Sequence, residues 1–342
     1  MAGGRGTRFW PSSRRSHPKQ FITWGSSPSL FRQTLQRLQP LLGYEDVVVV
    51  CPGDYESTVL AQAPELSGDQ LVIEPMARNT AACLALAAWH LEQSAPGTVM
   101  AVLPADHLIG NVEAFHRALR DAAVAAEAGW LVTFGLTPTF PATGYGYLER
   151  GEGLGLATDN LFRVARFSEK PDEATAQRFV DGGRHFWNSG MFVWRSDTFL
   201  EALRAHMPEL FATLTSLDWQ HAGSEAQREV FSRLESISVD YGVMERADQV
   251  AMVACELDWS DVGSWDAAAE LHLGHTADQL IAVDSSECLV QLPKGKTAAL
   301  VGVNDLVVVD TGDALLICRR GKSQLLREVV EQLEKAERED VL

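Results

Sequence analysis

The sequence predicts a doubly wound α/β sheet with a small C-terminal β-rich unit and a terminal helix, on three observations. Its first strands are continuous apolar runs, such as Asp46-Val47-Val48-Val49-Val50-Cys51, and continuity rather than alternation marks strands covered on both faces, as in a parallel sheet. These runs alternate with helical spacings as far as Gly135, the pattern of stacked βαβ units. From about Leu280 short strands recur at close spacing before one polar helix. A chain of 342 residues has room for a main domain and a smaller one, placed here at 1–272 and 273–342.

The chain opens on Gly3-Gly4-Arg5-Gly6-Thr7-Arg8-Phe9-Trp10-Pro11 and runs on to Pro18-Lys19-Gln20. Closely spaced glycines let the backbone approach an anion and aim successive N–H groups at it, with Arg5, Arg8 and Lys19 adding charge. A plain glycine turn is the alternative. Neither the P-loop nor the dinucleotide-binding fingerprint fits this spacing. A phosphate loop normally hangs between a buried strand and a helix; the first strand is therefore missing at the N-terminus and expected upstream of Met1.

Helical spacing follows from Ser29 to Leu38, and after the strand ending at Cys51 comes Leu71-Val72-Ile73, ending at Glu74-Pro75. An alanine-rich helix covers roughly Asn79 to Leu91, and Val99 to Leu103 ends at Pro104-Ala105-Asp106-His107. A helix from about Val112 to Ala128 leads to the strand Leu131 to Gly135. Past residue 140 the texture turns glycine-rich and aromatic, with a strand at Phe162 to Phe167. The tail offers strands at Leu289 to Leu292, Ala298 to Val303, Leu306 to Asp310 and Ala314 to Cys318, then a helix over Ser323 to Glu339.

The net charge of −17, from 29 basic and 46 acidic residues, argues against general affinity for nucleic acid or anionic membrane. Residues 1–44 carry seven cations and no Asp or Glu, leaving 22 basic and 46 acidic residues to the other 298. That arrangement suits a small polyanion held at the glycine loop, although Arg14 and Arg15 also read as a plain solvated face. Five cysteines without a C-x-x-C pair fit reduced thiols, and with no apolar leader or membrane-length run the chain reads as cytoplasmic.

In doubly wound sheets ligands bind outside the C-terminal ends of the strands, so residues just after strands carry the information. Asp106 follows one strand and Asp261 lies in a Trp-flanked loop. Brought together they would hold Mg²⁺ shared with substrate phosphates, and separately each reads as a turn or cap residue. His107 reads as a general base or a packed histidine. Glu169-Lys170 joins a carboxylate suited to sugar hydroxyls with an ammonium suited to phosphate, or is a surface ion pair. Asn188 supplies a donor and an acceptor for a hydroxyl, while Tyr145 and Tyr147 stack on a ring or simply pack. Arg78-Asn79-Thr80 begins the alanine-rich helix, as caps or as readers of a purine edge.

Taken together these motifs strongly resemble bacterial mannose-1-phosphate guanylyltransferases (GDP-mannose pyrophosphorylases) of the sugar nucleotidyltransferase superfamily. The resemblance runs through Ala2 to Phe21, Glu74-Pro75 with Arg78-Asn79-Thr80-Ala81, Leu103 to His107, and Thr143 to Glu149. It continues through Ser168 to Pro171, Trp187 to Phe192, Ser238 to Glu245 and Trp259 to Trp265. It implies a Rossmann-like nucleotidyltransferase sheet in 1–272 and the reaction of GTP with mannose 1-phosphate to GDP-mannose and pyrophosphate.

The resemblance further implies Gly3, Gly4, Gly6, Thr7 and Arg8 around the triphosphate, with Arg8 and Lys19 balancing charge as pyrophosphate leaves. It implies Mg²⁺ between Asp106 and Asp261, and Arg78, Asn79 and Thr80 near guanine. Gly144, Tyr145, Glu169 and Asn188 fall at the sugar, and Lys170 on its phosphate. A short form without the isomerase domain is expected, with room for a homodimer. Two rivals stay open: a nucleotidyltransferase for another sugar 1-phosphate, and a non-catalytic paralogue that binds GDP-mannose and regulates a partner.

Overall fold

The computed structural model describes residues 1–4, 6–25, 27–156, 158–219 and 223–342. Arg5, one of the loop cations above, lies outside them. The glycine loop closes in a turn of 3₁₀ helix, Thr7–Phe9, capped by Gly6 at φ 62°. A Cβ at Gly6 would overlap the Cβ of Lys19, so this approach of two backbones requires glycine. Phe9 is buried behind the loop against Trp24 and Trp265, with centroids 5.5 and 5.2 Å away.

Ser29 caps α1 (Leu30–Leu38) by accepting the Arg32 N–H at 3.2 Å. There follow β1 (Val49–Pro52), α2 (Glu56–Gln62), β2 (Leu71–Glu74), α3 (Asn79–Ser94), β3 (Val99–Val102), β4 (Leu108–Ile109), α4 (Val112–Glu127) and β5 (Leu131–Leu136). The alternation expected up to Gly135 is present, with element ends shifted by a few residues. Next come β6 (Gly146–Gly153), β7 (Leu161–Glu169), α5 (Glu173–Gly182), β8 (His185–Arg195), α6 (Ser196–His206), α7 (Pro208–Thr215) and α8 (Ser224–Ser232). A π turn at Asp240–Met244 leads to β9 (Val250–Cys255), β10 (Trp259–Ser260) and α9 (Trp265–Glu270).

The main sheet runs β3-β8-β5-β9-β7-β6, with β8 also pairing β6. It is mixed rather than parallel. Only β5 and β9 run parallel within it, while β8 is antiparallel to β3, β5 and β6, and β7 is antiparallel to β6 and β9. The parallel pairing expected from continuous apolarity holds for β1 and β2, which form a separate two-stranded sheet. Continuity does not report strand direction, and it overstates burial in β2 and β3, where Ile73 and Ala101 are exposed; the main sheet is covered on both faces. Buried Ala81 to Ala88 of α3 pack with α6 and α7 on one side, and Phe115, Ala118, Ala122, Ala125 and Ala126 of α4 pack on the other.

Met1 and Ala2 lie between the two sheets: Ala2 N donates to Val50 O at 2.8 Å, and Met1 O accepts from Ala105 N at 2.9 Å. The tail holds β11 (Leu280–Val283), β12 (Leu289–Gln291), β13 (Ala298–Val301), β14 (Leu306–Asp310), β15 (Leu315–Arg319) and α10 (Leu326–Lys335). It packs behind the glycine loop, since Phe9, Trp24 and Trp265 share one core with Leu289, Val307, Val309, Leu316 and Leu326. Arg14 and Arg15 are not merely solvated. Arg14 pairs with Asp313 at 3.1 Å, and Arg15 pairs with Glu334 at 3.3 Å and with Glu339. No helix among the described residues is long and apolar enough to cross a membrane.

Candidate active site

The ends of β2, β3 and β7, the start of β6, the middle of β8 and the turn after β10 converge on one cleft of about 460 Å³. Gly3, Gly4, Asn79, Thr80, Asp106, Gly144, Tyr145, Glu169, Asn188 and Asp261 all line it. Residues that are up to 258 positions apart in the chain thus share one wall-to-wall space, as the strand-end rule requires.

Lys19 is not among the residues that line the cleft, but it bonds to two that do. It is buried, and its Nζ donates to Asp106 Oδ2 at 2.8 Å and to the Asp261 carbonyl at 2.5 Å. An ammonium carries three donors, so one is left over. Burial alone would raise the Asp106 pKa, but Lys19 and further polar contacts more than offset it, and the carboxyl sits below its ordinary value. Asp261 Oδ1 accepts from the Tyr145 hydroxyl at 2.9 Å. Burial, and next the Asp261 charge, drive that phenol's pKa upward, so it stays a donor.

Trp259 Nε1 donates to His107 Nδ1 at 3.1 Å, which puts the ring proton on Nε2, 3.9 Å from Asp106 Oδ1. Burial pushes the His107 pKa down to about 4. Its lone pair is occupied and its ring neutral, so the general-base reading gives way to packing. Among the described residues no cluster of three or more His, Cys, Asp or Glu could hold a metal unaided. Mg²⁺ does not need one, because it keeps waters and shares substrate phosphates. The hard oxygens Asp106 Oδ1 and Asp261 Oδ2 accept no direct hydrogen bond among the described residues, and that donor set fits the ion.

In the same cleft Glu169 Oε1 accepts from Lys170 Nζ at 2.6 Å, with the carboxylate buried and the lysine half-exposed. Gly146 makes the room, since a Cβ there would overlap Glu169 Oε2. Asn188 is buried and oriented: Oδ1 accepts from Thr133 Oγ1 at 2.7 Å and Nδ2 donates to Asp240 Oδ1 at 2.8 Å. Burial, and next the Glu169 charge, push the Asp240 pKa up to about 6. Two carboxylates beside one amide make a pocket rich in acceptors, which suits neutral hydroxyl donors.

Not every expected residue faces this space. Thr7 lies in a groove on the far side of the loop with Trp10, Arg14 and Val330. Gly6, Arg8, Lys19 and Lys170 are not among the cleft's lining residues, though the Arg8 charge reaches Tyr145. The Arg78 guanidinium turns away, donating to the carbonyls of Phe231 at 3.0 Å and Ser232 at 2.6 Å. Thr80 Oγ1 accepts from Val239 N at 2.9 Å. Tyr147 is fully buried and packs against Phe179.

Sequence reasoning assigned no site role to Asp240, Glu74 or Trp259, all of which line the cleft. Glu74 ends a strand and was open to the same rule that selected Asp106. Asp240 sits in a π turn, which often marks functional positions but has no sequence signature.

Comparison with known proteins gives the following. The nucleotidyl transferase family model matches residues 1–277, and the MannoseP isomerase/GMP-like beta-helix domain matches 278–333. Mannose-1-phosphate guanylyltransferase of Klebsiella pneumoniae is 36% identical over 351 residues, covering 99% of this chain and 74% of its own. That of Escherichia coli K12 is 39% identical over 348 residues, covering 97% and 72%. The crystal structure of mannose-1-phosphate geranyltransferase from Thermus thermophilus aligns at TM-score 0.86 and 35% identity over 98% of both chains.

Proposed function

From the premise that the chain belongs to the nucleotidyl transferase family, we propose that it is a mannose-1-phosphate guanylyltransferase, forming GDP-mannose and pyrophosphate from GTP and mannose 1-phosphate. The observation that carries this reading is that Asp106 and Asp261, both bonded to Lys19, line the same cleft as Glu169, Asn188 and Asp240. The first group suits a phosphate chain with its counter-charges, the second a polyol.

The sugar phosphate is ionised near neutral pH, so no general base is required. Its oxygen attacks the α-phosphorus in line, forming one P–O bond as the bond to pyrophosphate breaks, and catalysis is largely positioning and charge stabilisation. Gly3 and Gly4 admit the triphosphate closely, and the spare Lys19 donor meets charge on its oxygens. Glu169 and Asn188 hold mannose hydroxyls, and Gly144 and Tyr145 border the sugar. Nucleotidyl transferases generally use a divalent metal; here Mg²⁺ on Asp106 and Asp261 would neutralise phosphate charge. We take 1–272 as the catalytic domain and 273–342 as a β-rich unit supporting the loop.

Pyrophosphate release from GTP and mannose 1-phosphate, against a panel of glucose 1-phosphate, UTP and dTTP, tests the reading. Release with another sugar or base at equal or greater kcat/KM would replace it, and binding of GDP-mannose without turnover would favour a regulatory role. Lys170 lends itself to a narrower test. Lys170→Ala is expected to raise the KM for mannose 1-phosphate roughly tenfold, the scale of one charge-assisted hydrogen bond, with a smaller change in kcat. An unchanged KM would return Lys170 to the role of a surface partner of Glu169.

A further inference from the structure

We propose that Asp240 is a positioning residue: its charge locks the side-chain amide of Asn188 in one of two orientations, and the Thr133 hydroxyl makes the other available when that charge is lost. The proposal deepens the reading of Asn188 as a contact for mannose hydroxyls and rests on it.

Asn188 is held between two partners on different elements. On one side stands Thr133, fully buried in β5, whose Oγ1 is 2.7 Å from Asn188 Oδ1 and 2.9 Å from the Met191 carbonyl oxygen. One hydroxyl proton thus serves two acceptors. On the other side Nδ2 donates to Asp240 Oδ1 at 2.8 Å. An amide turned end for end exchanges its donor for its acceptor in nearly the same volume. At Thr133 the exchange costs nothing, because the hydroxyl would accept from Nδ2 and keep its own proton on the Met191 carbonyl. At Asp240 it sets Oδ1 against an ionised carboxylate, acceptor against acceptor. The Asp240 charge alone therefore distinguishes the two orientations. Once Asp240 is protonated, its O–H can donate to Oδ1 and the turned amide is satisfied at both ends.

Asn188 and Asp240 both line the cleft. The remaining N–H and lone pair of the amide exchange places as it turns, so sugar hydroxyls matched to one orientation are mismatched to the other. Burial, and next the Glu169 charge, raise the Asp240 pKa to about 6, while Lys170 acts in the opposite sense. The other titratable or charged groups about its turn are Tyr241, Glu245 and Arg246 on the same segment. From the helices packed against the turn come Cys83 of α3 and His206 of α6, whose carbonyl accepts from Arg246. The locked orientation accordingly prevails at neutral pH and gives way as pH falls through 6.

The lock is read first in ligand-free protein by nuclear magnetic resonance. The Overhauser contact between the Asn188 Nδ2 protons and the Thr133 methyl should strengthen several-fold from pH 7.5 to pH 5, and should be independent of pH in Asp240→Asn. An unchanged contact in wild-type protein overturns the proposal and needs no variant to fold. The consequence for the sugar is read by calorimetry with GDP-mannose, whose phosphates do not titrate in this range.

Over the same pH step the wild-type Kd should rise ~5–10-fold more than that of Thr133→Val, which denies the turned amide its acceptor, while Thr133→Ser keeps the wild-type profile. Glu74, with a pKa of about 7, lines the same cleft, and its effect is common to all these proteins. Equal profiles for wild type and Thr133→Val overturn the proposal. An amide that turns with pH in protein that binds no GDP-mannose at any pH would sink the guanylyltransferase reading and leave the lock itself standing.

Discussion

Asp106→Asn is expected to lower kcat for pyrophosphate release by ~10²-fold or more, the scale of removing one preorganised charge-stabilising group. The substitution keeps the shape of the side chain, and an amide oxygen can still accept from Lys19 Nζ, which Asp106 Oδ2 meets at 2.8 Å. What disappears is the negative charge that Lys19 and the surrounding contacts hold ionised against the burial penalty. The fold is therefore expected to survive while the site loses half of its anionic oxygen set. Asp261→Asn should behave alike, because its amide oxygen can keep the Tyr145 hydroxyl bond of 2.9 Å. In either variant the Mg²⁺ concentration giving half-maximal rate should rise. Near-normal turnover at ordinary Mg²⁺ would remove both aspartates from the metal site.

How much of this was legible in the sequence follows from what each pattern physically reports. Strands β1 and β5 stand out because burial on two faces writes an unbroken apolar run, and β2 and β3 read the same way although each exposes one residue, Ile73 and Ala101. Strand β8 does not, since Asn188 and Ser189 are polar yet buried, and β6 is interrupted by Gly151 and Gly153. β9, Val-Ala-Met-Val-Ala-Cys, obeys the continuity rule and was open to it. Strand direction leaves no trace in apolarity, so the mixed sheet had to be seen.

At the site, the strand-end rule reached Asp106 and applied equally to Glu74. It could not reach Asp240, whose role comes from pairing with Asn188 across 52 positions. Nor could charge counting tell Lys19, buried under two aspartates, from Arg14 and Arg15, which fasten the loop to the C-terminal unit.

That distinction makes Lys19 the site of the second large effect. Lys19→Met keeps the volume of a nearly buried side chain, so no cavity opens, but it removes a cation bonded to Asp106 and to the Asp261 carbonyl. Two consequences compete. The partly exposed Asp106 carboxylate loses its ion-pair partner, which costs about 1–3 kcal/mol of stability. The spare ammonium donor is also lost just where negative charge accumulates on departing pyrophosphate, which costs ~10²–10³-fold in kcat. The catalytic loss should dominate, because water can re-solvate part of Asp106 while nothing replaces a fixed positive charge beneath the phosphates. Unfolding midpoints and single-turnover rates separate the two. A destabilised variant that turns over normally when folded would make Lys19 a tie between the glycine loop and the two aspartates, with no share in the chemistry. A well-folded variant with the expected loss of rate would place its charge under the leaving group.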